Sequence, residues 1–226
     1  MDAARIITVT DAEAAAAAAA GALAAAIGAA LAQRGAAHVA LSGGTTPRRA
    51  FELLGPLVPH WSGVHVWFAD ERCVGPDHPE SNARLVRETL AAPGAEVHRI
   101  EGELGAEAAA AAYEQRLADV VLDLVLLGLG EDGHTASLFP QNPALDAAGR
   151  VAPVHDAPKP PPDRVTLTRA TIDGARARLL LVTGAGKAGA LALTLGTPDR
   201  ATPASLVRRA QLDVICDRAA AAGISG

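Results

Sequence analysis

The chain has 226 residues, half of them hydrophobic and 20% charged, with a formal net charge of −5. That balance excludes a disordered or fibrous protein and fits one large domain or two small ones. Only 3% is aromatic and no basic block stands out, which argues against a nucleic-acid binder but leaves room for a compact site holding one anion.

In chain order, IITV (6–9) reads as a first strand, followed by an alanine-rich run that extends to residue 32. Asp2 precedes the run and Asp11 and Glu13 flank it, whereas a signal peptide would begin with a basic segment. Ala and Gly give little membrane-insertion energy. Leu23, Ile27 and Leu31 fall four apart, so the run predicts an amphipathic helix over 12–32, capped by Asp11 and docked on a core. HVALS (38–42) is the next strand. It runs into Ser42-Gly43-Gly44-Thr45-Thr46-Pro47, where small residues leave backbone N–H groups uncovered ahead of a helix over 46–54. Such a turn suits a phosphate; an ordinary strand-to-helix turn capped by Thr is the other reading.

VHVWF (64–68) ends in Asp70-Glu71-Arg72-Cys73, a dense charge cluster that must be solvated, paired or functional. Helices are expected over 81–91 and 105–119. LDLVLLG (122–128), apolar nearly throughout, is the expected central strand. After it, GLGEDG (128–133) matches G-x-G-x-x-G, but Glu131 and Asp132 would repel a pyrophosphate. His134, two residues from Asp132, suits a general base. Neither Ser42 nor Ser137 lies in a G-x-S-x-G elbow, which favours an activated water over an acyl-enzyme.

The stretch 154–164 is too proline-rich for a helix or central strand and predicts a surface excursion bordering a site. RVTLT (164–168), RLLLVTG (178–184) and LDVIC (212–216) complete the strands, with helices expected over 186–195 and 203–210. GAGKAG (184–189) matches G-x-G-x-x-G again but lacks an acidic partner for a ribose. Lys187 within it is one of two lysines, with Lys159, and at the mouth of a strand–turn–helix it can meet a phosphate as a point charge. The alternation predicts a single α/β, Rossmann-like domain over 1–226, a mainly parallel sheet with helices on both faces and ligands beyond the carboxyl ends of strands. Cys73 and Cys216 are too few for a disulfide scaffold and lack metal-ligand spacing, so a reducing cytoplasm is the expected compartment. Phe51, Trp67, Phe68 and Phe139, four of the six aromatics, flank the expected site.

The ordered blocks LSGGTTPRRAFELL (41–54), VWFADERCVGPDHPESNARLVRETL (66–90), LVLLGLGEDGHTASLFP (124–140), APKPPPDRVTLT (157–168) and VTGAGKAGAL (182–191) closely resemble the glucosamine-6-phosphate isomerase/6-phosphogluconolactonase superfamily. The resemblance implies hydrolysis of 6-phospho-D-glucono-1,5-lactone to 6-phosphogluconate, the second step of the oxidative pentose phosphate pathway, without metal or organic cofactor. Carried over by motif, Ser42, Gly43, Gly44, Thr45 and Lys187 would hold the phosphate, with Arg164 adding to the grip. His134 would activate water, Asp132 would steer its tautomer, Arg72 would stabilise the oxyanion or leaving group, and Asp70 would orient Arg72 or a sugar hydroxyl. The alternatives are the sister deaminase/isomerase and a non-catalytic sugar-phosphate sensor. Arg72 stands where the deaminase carries an aromatic, and TASLFP replaces its IAFNEP-like run. The implied partner is the sugar-phosphate lactone, with neither nucleic acid nor membrane; a transient association with glucose-6-phosphate dehydrogenase is left open.

Overall fold

The structure is a computed structural model that describes residues 3–224. Its strands and helices are β1 Arg5–Val9, α1 Ala12–Arg34, β2 Ala37–Leu41, α2 Thr45–Leu54, β3 Val64–Phe68, β4 Asp70–Arg72, α3 Asn82–Thr89, β5 Glu96–Val97, α4 Ala106–Leu117, β6 Leu124–Leu127, β7 Val151–Val154, β8 Arg164–Leu167, α5 Arg169–Gly174, β9 Ala177–Val182, α6 Ala188–Leu195, β10 Leu212–Asp217 and α7 Arg218–Ala221. Seven strands form a parallel sheet in the order β1-β10-β9-β6-β2-β3-β5. All four residues of β6 are buried, as expected for its central place. From β2 the chain steps to β3 in one direction, and from β6 it steps to β9 and β10 in the other. The crevice at this reversal, beyond the carboxyl ends of β2 and β6, is where a sheet of this type takes its ligand.

Helix α1 shows how an alanine-rich segment finds its place. Asp11 caps it by accepting the Ala14 N–H at 2.9 Å, and Gly35 ends it in the left-handed conformation (φ 73°). By length and composition it could cross a membrane. Here its larger side chains Leu23 and Ile27 are fully buried together with Ala15, Ala16, Ala19, Ala20 and Ala30, and it packs on α2, β2 and β10. Methyl-sized side chains let helix and sheet approach closely, which builds a dense core with few aromatics. Tyr113 of α4 is buried beneath the sheet, where its hydroxyl accepts from Phe68 N (2.7 Å) and donates to Phe68 O (3.2 Å).

Two sequence expectations change. RVTLT does not join the parallel sheet: β8 pairs antiparallel with β4 and β7 in a separate three-stranded sheet. Ala69 is the corner, its N–H bonded to Leu41 O (2.9 Å) in one sheet and its C=O to Leu167 N (2.8 Å) in the other. Pro153 fits in β7 because β7 is an edge strand. The helix expected over 203–210 reduces to a 3-10 turn, Pro203–Leu206. Val207 is extended (ψ 133°), and the Arg208 N–H goes to the Asp173 carboxylate at 2.7 Å instead of to a helical carbonyl.

Candidate active site

A cleft of about 300 Å³ opens at the reversal point, lined among others by Ser42, Gly43, Gly44, Thr45, Asp70, Arg72, His134, Arg164 and Lys187. Nine of the ten residues singled out from the sequence therefore line one cleft. The tenth, Asp132, stands behind His134.

One end of the cleft gathers groups of the kind that suit an anion. Ser42 follows β2 directly, and its Oγ is buried without a hydrogen-bond partner among the described residues, a costly state unless a ligand completes it. Gly43 has no room for a side chain, since a Cβ there would lie 1.8 Å from Asn82 Oδ1. Gly44 adopts φ 120° and caps α2 without any side-chain acceptor. The first-turn N–H groups of α2 have no intrahelical partner, Pro47 brings none, and Thr45 and Thr46 line the cleft. The Thr46 and Thr183 hydroxyls meet at 3.1 Å and join this turn to the loop after β9. That loop places Lys187 at the end of a 3-10 turn, immediately before α6. Asp217 holds the loop from behind, its two oxygens each 3.0 Å from Gly184 N. Among the described residues Lys187 has no salt bridge, so its charge is available.

The opposite side carries a dyad. His134 Nδ1 lies 2.5 Å from Asp132 Oδ1, which also accepts the His134 backbone N–H at 3.2 Å. A carboxylate only accepts, so the proton sits on Nδ1 and the Nε2 lone pair is free. Burial pushes the His134 pKa below its ordinary 6.5, outweighing the opposing pull of Asp132; the imidazole is neutral near pH 7. Burial would push Asp132 up, but its hydrogen bonds to His134 hold it below the ordinary aspartate value. The turn from Gly130 to His134 is tight, closed by Gly130 N to His134 O at 2.8 Å. A Cβ on Gly130 would fall 2.0 Å from His134 Nδ1 and 2.3 Å from Asp132 Oδ1. The G-x-G-x-x-G match is therefore a histidine-positioning turn, with Phe139 against the ring at 4.5 Å between centroids.

Between these ends stand two arginines. The antiparallel register makes Arg72 and Arg164 direct partners across β4 and β8. Arg164 is buried, bonds Pro161 O (3.1 Å) and Lys159 O (2.9 Å), and lies over Phe139 at 5.4 Å. Burial, and then the charge of Arg72, lower its pKa; such a pair gains from any anion placed between them. Arg72 Nη1 bonds Glu80 O, while its Nε is buried and unpartnered.

Asp70 departs from one of its two expected roles. Its oxygens accept from Ser137 Oγ (2.7 Å) and Asn82 Nδ2 (3.2 Å), and none contacts Arg72. Its contact with the cleft leaves the sugar-hydroxyl role. Asn82 and Glu71 were missed by sequence reading. Buried Glu71 accepts from the N–H groups of Arg72, Asn82 and Ala83, each at 2.8 Å, and from Ser81 Oγ at 3.1 Å, fixing the start of α3 to β4. The Ser81–Asn82 step at a helix start was the available signal, but nothing local tied it to Glu71. The proline-rich stretch does border the cleft, through Lys159 and Pro160. Of the four aromatics expected near the site, Phe139 alone lines it; Phe51 and Phe68 are buried in the core, and Trp67 stacks on His98 elsewhere. Burial pushes the Cys73 thiol up to about 11, which suits a filler and not a nucleophile.

Comparisons with known proteins show the family. A family model described as glucosamine-6-phosphate isomerases/6-phosphogluconolactonase matches residues 10–216. The chain is 39% identical to a 6-phosphogluconolactonase of Mycobacterium tuberculosis, covering 94% of this chain and 95% of that one. It is 40% identical to a rice protein named probable 6-phosphogluconolactonase 3, chloroplastic, of whose length it spans 57%. Among solved structures it is similar to a 6-phosphogluconolactonase from Trypanosoma brucei, with a TM-score of 0.89, 28% identity and all of both chains covered.

Proposed function

The chain belongs to the glucosamine-6-phosphate isomerase/6-phosphogluconolactonase family, and from that premise we propose that it is a lactone hydrolase converting 6-phospho-D-glucono-1,5-lactone to 6-phosphogluconate. The observation that carries this reading is a neutral His134, its Nδ1 proton held by Asp132, in the same cleft as an anion-accepting helix start. The phosphate binds at Ser42, Gly43, Gly44 and Thr45 with Lys187 as counter-charge, and Ser42 Oγ then gains the partner it lacks. Arg164 extends that positive wall.

With the phosphate anchored, the lactone ring reaches toward His134. Nε2 takes a proton from water as the water oxygen attacks C1. The carbonyl oxygen becomes an oxyanion facing the guanidinium of Arg72, which lines the cleft. The C1–ring-oxygen bond then breaks, the ring oxygen takes the proton back from His134, and the product acid ionises. Asp70, fixed by Ser137 and Asn82, accepts from a sugar hydroxyl. Two free thiols fit the cytoplasm as the compartment.

The test is hydrolysis of freshly made lactone measured above its spontaneous rate, beside ammonia release from glucosamine 6-phosphate. Enhanced lactone loss without ammonia is expected. Ammonia release without lactonase activity would assign the chain to the sister chemistry, and tight product binding without turnover would make it a sensor.

A further inference from the structure

Away from the cleft, three metal-ligand side chains converge at the β5 edge of the parallel sheet. The register brings them together: His38, His65 and Glu96 are successive partners across β2, β3 and β5. Side chains alternate along a strand, so Trp67 and His98 share their face two residues on. His65 Nδ1 lies 3.0 Å from His98 Nε2. Glu96 spans the two rings, with Oε2 3.4 Å from His65 Nδ1 and Oε1 3.4 Å from His98 Nε2. Taken one donor atom each, the three groups lie within 4.8 Å of one another, against about 3.3–3.4 Å for ligands about 2.0–2.1 Å from a tetrahedral Zn²⁺, a gap that a rotation of the exposed Glu96 side chain closes.

We propose that His65, Glu96 and His98 bind a divalent cation of the zinc class, with water completing its shell. Two imidazoles and one carboxylate suit Zn²⁺ better than Mg²⁺ or Ca²⁺, which take oxygen ligands. Both ligand rings are held in advance. Trp67 stacks on His98 (3.9 Å between centroids, 11°) and donates to His38 Nδ1 at 3.1 Å, while His38 stacks on His65 (4.4 Å, 12°). The histidine side chains are 25% and 16% exposed and that of Glu96 is 65% exposed, so an ion enters from solvent past the carboxylate. None of the three lines the cleft. Strand β5 is held to β3 by two register pairs only, so the ion pins an otherwise weakly held edge strand.

The experiment is calorimetric titration of the chelator-stripped full chain with Zn²⁺, metal analysis after dialysis, and thermal melts with and without the ion. Wild type should bind one ion at this site and melt higher with Zn²⁺. Losing an outer-sphere partner alone costs roughly 10–100-fold in metal affinity, so Glu96→Gln should weaken binding by about 100-fold and cancel the melting shift, with lactone hydrolysis unchanged. His98→Ala should abolish binding, and His134→Gln should leave it intact. The site is refuted if no ion binds, if Glu96→Gln binds as wild type, or if binding disappears only with His134→Gln.

Discussion

Asp132→Asn isolates the dyad, because it keeps the side chain's shape and removes its charge. In the wild type the carboxylate accepts the Nδ1 proton at 2.5 Å, leaving the Nε2 lone pair toward the cleft. Asn keeps a carbonyl oxygen where Oδ1 accepts both the His134 N–H and the Nδ1 proton, but it lacks the negative charge that stabilises the imidazolium formed as Nε2 takes the proton from water. General-base assistance contributes about 10²–10⁴-fold, or about 2.7–5.4 kcal/mol at 1.36 kcal/mol per decade. The loss should fall on kcat. KM should change little, since Asp132 does not line the cleft. The assay is lactone hydrolysis above the spontaneous rate, with His134→Gln and the double variant alongside. Residues acting as one unit are not additive, so the double variant should be no worse than His134→Gln. A kcat for Asp132→Asn equal to wild type, or a further loss in the double variant, would refute the dyad argument.

The pH dependence follows from the same imidazole. Burial lowers the His134 pKa below 6.5, and the base works only when deprotonated, so the acid-side fall of kcat/KM should be centred below pH 6.5; a fall centred above 6.5 contradicts the burial argument. The unfolded chain binds that proton first on acidification, so His134 also subtracts stability as pH drops below 6.5 toward its folded value. Lys187→Ala removes a charge-assisted contact worth about 1.5–3 kcal/mol, which predicts a KM rise of about tenfold or more; an unchanged KM would return Lys187 to the solvated surface. Tyr113→Phe deprives Phe68 N and O of a buried partner and should cost about 1–3 kcal/mol, lowering Tm by about 2–4 °C per kcal/mol, with kcat unaffected; an unshifted Tm would show that water replaces the hydroxyl.

Much of the site was legible in the order of residues because strand-end chemistry is local. The Ser42–Thr45 turn, the Gly130–His134 turn and Lys187 each lie within a few residues of a strand that hydrophobic pattern reveals, and a parallel sheet brings its carboxyl ends to one edge. Asp11 as a cap was legible for the same reason. Side-chain pairing between distant segments was not. The antiparallel register of β4 and β8 sets Arg72 beside Arg164, and it carried RVTLT out of the sheet its pattern suggested. Asn82, Glu71 and the His65–Glu96–His98 group likewise depend on which strands and helices become neighbours. The sequence by itself determined seven of the ten strands and the turns beyond them, since these follow from backbone sterics and hydrophobic period over short spans, whereas the short β4, β5 and β7 carry too little pattern to be read locally. Only the tertiary structure decided which charges face one another, because register is set by burial and corner geometry across the whole sheet, and a shift of one residue would reverse every side chain.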